Sequence, residues 1–163
     1  MKKIILMLTM FFLALTPAFA DDKADAIRFF NDYVKAANTY NPVITTLYSP
    51  NAKIIRQVVK PDGTTANAYT DTKTYITQMK LSQSVAKLRK YTNSYSDIKA
   101  EQVSTGYKIS ALRQPAGESY KLKTYMVVTK QPNGKWLITE EMMQTKEQIF
   151  LRYTEEAKSK KAK

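Results

Sequence analysis

Residues 132–145 read PNGKWLITEEMMQT. Pro132-Asn133-Gly134 is a turn tripeptide. It feeds a run led by Trp136, the only tryptophan of the chain. Neighbouring side chains on a strand point to opposite faces. Strict alternation therefore puts Trp136, Ile138, Glu140 and Met142 on one face, and Leu137, Thr139, Glu141 and Met143 on the other. The adjacent carboxylates Glu140 and Glu141 cannot both enter one cavity. Glu140 shares the face of Trp136 and Ile138, so it is the one expected inside, and its expected role is to neutralise an arginine.

Upstream of this run the period is also two. Strands are expected over 94–103, 106–113, 119–130 and 135–143, joined at 104–106, 115–118 and 131–134. Connections this short imply an antiparallel meander. Before residue 93 the period is mostly that of helices. Residues 21–37 carry Ile27, Phe30, Val34 and Ala37 at helical spacing, widened by Phe29 and Tyr33. Asp21, Asp22 and Asp25 suit a helix start, and Asn38 with Asn41-Pro42 a stop. A short helical stretch follows at 43–48. AKIIRQVVK at 52–60 is β-branched, and Pro61-Asp62-Gly63 turns it back on 65–70 as a hairpin. Asp71 is the expected N-cap of a helix running to about Leu88. A last helix is expected over 146–158, ahead of the basic end SKKAK at 159–163. Helices grouped before a meander imply an α+β domain with helices on one face of a curved antiparallel sheet.

The first twenty residues have the form of a secretory signal. Lys2 and Lys3 precede an apolar run from Ile4 to Leu15, and Ala18-Phe19-Ala20 gives the small residues of a cleavage site. The run is shorter than the roughly twenty residues that span a bilayer. The expected product runs from Asp21 to Lys163 and is periplasmic or secreted, with a domain at 21–145 and a helix with basic tail at 146–163. The formal charge of the whole chain is +12, and loss of Lys2 and Lys3 makes it +10. That charge favours anionic partners. Export argues against nucleic acid. The tail, with Arg152, Lys158, Lys160, Lys161 and Lys163, is a candidate for weak contact with an anionic surface.

The chain has no histidine and no cysteine. This excludes Ser-His-Asp and Cys-His catalysis and removes the usual ligands of zinc and copper. No metal and no cofactor is expected. Any proton transfer would fall to Asp, Glu, Tyr, Lys or water.

The element order resembles the nuclear transport factor 2-like superfamily, which includes the SnoaL-like proteins. Three stretches carry the resemblance: an opening helix with Phe30, Tyr33 and Ala37; Leu47-Tyr48-Ser49-Pro50-Asn51-Ala52 leading into the first strand; and Asn133-Gly134-Lys135-Trp136-Leu137-Ile138 opening the last. It spans about residues 22–145. The resemblance implies a sheet wrapped around a long helix, leaving a cone that often holds an apolar ligand. It also makes dimerisation through the open sheet face an expectation. Relatives with enzymatic activity place Asp, His or Tyr around the cone. Here Asn41 and Asn51 stand where many relatives have Asp, and the histidine near the end of the last strand is missing. No catalytic residue carries over.

The candidate lining of a cone is therefore Arg56, Arg113, Tyr33, Tyr75, Tyr107, Tyr120, Trp136 and Glu140. Arg56 lies on the strand face of Ile54 and Val58, and Arg113 on that of Tyr107, Ile109 and Ala111. A buried arginine requires a carboxylate, phosphate or ligand partner. Tyrosine hydroxyls would add donors, and Met79, Met126, Met142 and Met143 adaptable packing. The first expectation is a binding module for a small apolar or anionic ligand, or for a partner protein. The second is a SnoaL-like isomerase, dehydratase or hydrolase with Glu140 as base and Tyr120 or Arg113 stabilising an oxyanion. The third is an accessory role in envelope or secretion-system assembly, which an exposed apolar patch would favour.

Overall fold

The computed structural model describes residues 17–154. The apolar run at 4–15 and the lysines of the basic tail lie outside them. Helix α1 spans Pro17–Asn38. A 3-10 turn at Pro42–Thr46 follows, then strands β1 Tyr48–Val59 and β2 Thr65–Thr70. Helix α2 is Thr72–Leu88. Strands β3 Asn93–Val103, β4 Gly106–Pro115, β5 Leu122–Lys130 and β6 Trp136–Thr145 complete the sheet. A 3-10 helix at Gln148–Tyr153 ends the described chain, where an α-helix was expected. Among the described residues no helix is long and apolar enough to cross a membrane.

The architecture is α+β, with helices packed on a curved sheet. The strand order is β2-β1-β6-β5-β4-β3. The meander and the β1–β2 hairpin are antiparallel. The sheet as a whole is not, because β6 closes on β1 in parallel. Short connections fix only the pairings they join. The β1–β6 pairing joins strands far apart in the chain and follows from closing the sheet.

Local chemistry explains the ends of α2. The Asp71 carboxylate accepts from the Thr74 amide at 2.8 Å, so Asp71 is the N-cap. At the far end Lys90 takes a φ of 50° and stops the helix. In α1 the buried stripe is Ala26, Phe30, Tyr33 and Ala36. Ile27, Phe29 and Val34 pack beside it, half-buried, so the stripe is rotated from the expected centre line. Gly106 opens β4 with a φ of 150°. A Cβ there would lie 2.1 Å from the Val128 carbonyl oxygen, so β4 and β5 can approach only with glycine at this position.

The core lies between the helices and the helix-facing side of the sheet. Phe30, Ile54, Val58, Ile109, Val128 and Ile138 are each at most 1% exposed. Each such side chain stabilises the fold by about 1.5–3 kcal/mol relative to exposure.

Candidate functional site

One pairing detail sets the interior chemistry. Val128 pairs with Ile138, but Val127 pairs with Glu140, so Thr139 is one extra residue on β6. This β-bulge reverses the alternation of every later side chain. Thr139 is held by its hydroxyl, 3.2 Å from the Val127 carbonyl oxygen. Ile138 and Glu141 therefore share the interior face. Glu141 is 1% exposed. The expectation that Glu140 faces inward is overturned. Its carboxylate accepts from the Tyr125 hydroxyl and lies 3.9 Å from Lys53 Nζ, on the opposite face of the sheet.

Glu141 is the centre of a cage. Arg56 Nη1 donates to Oε1 at 2.8 Å. The Tyr75 hydroxyl donates to the same oxygen at 3.1 Å. Tyr33 donates to Oε2 at 3.2 Å, and Tyr48 donates a short bond to that oxygen. Four donors on two oxygens leave the carboxylate little capacity to take a substrate proton. Arg56 also stacks on the Tyr75 ring, 4.7 Å from its centroid. Burial opposes the Arg56 charge, yet Tyr75 and Glu141 outweigh it, and the guanidinium pKa rises above the ordinary arginine value. Burial, reinforced by the Glu141 charge, pushes the Tyr33 and Tyr48 phenols well above their usual range. Burial also pushes Tyr75 up to about 12, with Arg56 opposing.

Arg113 is 5% exposed, near the C-terminal end of β4, and its contacts are all neutral. Nη1 donates to Asn93 Oδ1 at 2.8 Å and to the Tyr91 hydroxyl at 3.2 Å. Nη2 donates to the Gln144 carbonyl at 2.8 Å. Nε is buried without a partner. Asn93 is fixed from its other side by Asn38, which donates to its carbonyl and accepts from its amide, both at 2.9 Å. Burial pushes the nearby Tyr95 phenol up, with Arg113 opposing.

Tyr91 and Asn93 form one end of an open cavity of about 200 Å³ between α1, the 3-10 turn and α2. Ala36, Ile44, Met79 and Ala86 give it an apolar wall. Because Arg113 occupies Asn93 Oδ1, the free polar group of that amide is its NH₂. The Tyr91 oxygen accepts from Arg113, and its hydroxyl donates in turn to Asn93 Oδ1 at 3.4 Å. The polar lining of the cavity is thus the Asn93 amide and the Tyr91 hydroxyl, both backed by the buried Arg113 cation.

The remaining predicted residues are dispersed. Tyr107 is buried and packs on Trp136 with centroids 6.2 Å apart. That pair lies six residues along β4 from Arg113, about 20 Å away at strand rise. Tyr120 precedes β5 and is only half-buried, with the Lys146 ammonium 3.9 Å from its ring centroid. Glu140 pairs with Val127, seven residues along from Tyr120 and a little over ~20 Å away at strand rise, so the expected Glu140–Tyr120 acid–base pair does not assemble. Sequence reading missed Glu141, Tyr48, Tyr91 and Asn93. Tyr48 lay in a quoted motif. Asn93 had only its position at the change of period as a signal. Among the described residues no cluster of three or more acidic, His or Cys side chains could hold a metal.

No family model and no curated protein matches the chain. Solved structures do. A nuclear transport factor 2-like protein of unknown function from Pseudomonas putida aligns over 77% of this chain and 87% of its own, at 7% identity and a TM-score of 0.56. A protein of unknown function from Pectobacterium atrosepticum covers 77% and 91%, at 17% identity and 0.58. A nuclear transport factor 2-like protein with a cystatin-like fold from Novosphingobium aromaticivorans covers 79% and 84%, at 7% and 0.55. These likenesses establish the fold: nuclear transport factor 2-like, of cystatin-like architecture. Fold alone does not assign an activity.

Proposed function

We propose that this nuclear transport factor 2-like domain is an exported, non-enzymatic binding module. Its ligand has a small apolar body and an anionic or strongly hydrogen-bond-accepting head. The observation that supports this most is Arg113, a buried guanidinium whose contacts are all neutral. A buried cation without a counter-ion is costly. An anion at the Tyr91–Asn93 end of the cavity would lie one hydrogen bond away and relieve that cost. The apolar wall suits a short hydrocarbon or aromatic body.

The caged state of Glu141 supports binding over catalysis. A general base needs a free lone pair within reach of substrate, and this carboxylate already accepts from four donors. The proposal is tested by native mass spectrometry of protein purified from the cells that make it, followed by titration with benzoate and hexanoate. Retained or titratable carboxylates, with affinity lowered at least tenfold in Arg113→Met, are the expected result. Protein that is repeatedly empty, or an Arg113→Met variant that binds equally well, would overturn it.

A further inference from the structure

Helix α2 walls the cavity with one side and presents an unusual surface on the other. Leu81, Val85 and Leu88 are 75%, 48% and 84% exposed. At spacings of four and three they stack into one outward stripe, about 10 Å long at helical rise. Lys73, Lys80 and Lys87 are seven residues apart, so they form a row along one flank of the stripe. Arg89 lies on the other flank, and Lys90 follows it. Between Asp71 and Asp97 there are five Lys and Arg residues and no Asp or Glu.

The face α2 needs for folding is already satisfied. Tyr75, Ile76 and Met79 pack against the core, and Asp71 caps the start. The exposed leucines are therefore surplus to the fold. An interface with a folded protein is depleted in lysine at its centre, whereas here cations border the leucines on both sides. That pattern is the one a helix shows when it lies in a lipid headgroup layer, with apolar side chains down and long cationic side chains reaching the phosphates.

We infer that the outward face of α2 docks on a membrane surface rich in anionic lipid. The leucine stripe enters the headgroup boundary, and the Lys73–Lys80–Lys87 row meets the lipid phosphates. This surface is separate from the Arg113 cavity.

The absence of cysteine makes the test direct. Gln78, exposed beside the stripe, is replaced by Cys and labelled with an environment-sensitive fluorophore. Asn133→Cys, in the exposed turn before β6, is the control. The full chain is titrated with vesicles of phosphatidylcholine alone and with vesicles containing phosphatidylglycerol. The expected result is at least a twofold, blue-shifted rise at position 78 with phosphatidylglycerol, absent with phosphatidylcholine and absent at 133. High salt should weaken the response. Leu81→Ser with Leu88→Ser, and separately Lys80→Glu with Lys87→Glu, should each reduce the apparent affinity at least tenfold. Unchanged melting and circular dichroism would show that both variants fold. Four outcomes would overturn the inference: no rise at 78, an equal rise at 133, variants that bind as the parent does, or a rise at 78 that follows protein concentration without vesicles. The last would make the stripe a contact with a second copy.

Discussion

Arg56 and Arg113 both lie on the helix-facing side of the sheet, yet their surroundings differ. Arg56 meets a carboxylate that is itself held by three phenols. Arg113 meets an amide, a phenol and a peptide carbonyl. A buried ion pair with all its donors and acceptors matched is inert. A buried ion whose contacts are all neutral keeps an unspent electrostatic attraction. The difference separates a part of the interior that keeps the fold in order from a part suited to recognise something.

The strongest way to break that comparison is to remove the carboxylate. Glu141→Gln should destabilise the protein by about 3–5 kcal/mol, because Arg56 loses its counter-ion. Urea denaturation measures it. Adding Arg56→Met should recover a substantial part, and a strictly additive double variant would show that the cage is not a unit.

Alkaline titration probes the same cage. Burial raises Tyr75 to about 12, and burial with the Glu141 charge raises Tyr33 and Tyr48 well above the ordinary tyrosine value. An unfolded tyrosine ionises near 10. A raised native pKa gives stability that is complete below pH about 10 and is lost as pH climbs toward the native value, at roughly 1.4 kcal/mol per pH unit for each tyrosine. Absorbance at about 295 nm should therefore show these phenols silent through pH 10–11, ionising only as the protein unfolds. Early ionisation of all eleven tyrosines would contradict the cage.

Arg113→Met should be milder than Glu141→Gln, at about 1–2 kcal/mol. It orphans the acceptors of Asn93 and Gln144 but also removes an uncompensated charge. A loss as large as that of Glu141→Gln would erase the distinction between the two arginines. The smallest effect is expected at Glu140→Gln, below about 1 kcal/mol in thermal unfolding, since its ion pair with Lys53 is long and half in water.

Much of the fold was readable before the structure. The turn tripeptides, the Asp71 cap and the change from helical period to alternation each act within a few residues, and local sequence carries them. Arg56 and Arg113 were readable because a charge on an apolar strand face stands out. Three features were not. The parallel closure of β6 on β1 is set by the sheet as a whole. The rotation of the α1 stripe from Ile27 toward Ala26 and Tyr33 depends on which neighbours the helix meets. The exchange of Glu140 for Glu141 depends on one extra residue at Thr139, and nothing in LITEE announces a bulge.

The bulge has one more consequence. From residue 140 the strand spells Glu-Glu-Met-Met, a text of doubled letters. Shifting the reading frame by one replaces a glutamate with a glutamate and a methionine with a methionine. Both faces of the strand then keep the same chemical content under either parity. The interior is thus buffered against a slip at this point, as a redundant code is buffered against a single misreading. The choice of frame must be made outside the doubled segment. On one side Ile138 is fully buried and Thr139 is pinned to Val127. On the other, Gln144 gives its carbonyl to Arg113 and its side-chain amide to Gln57.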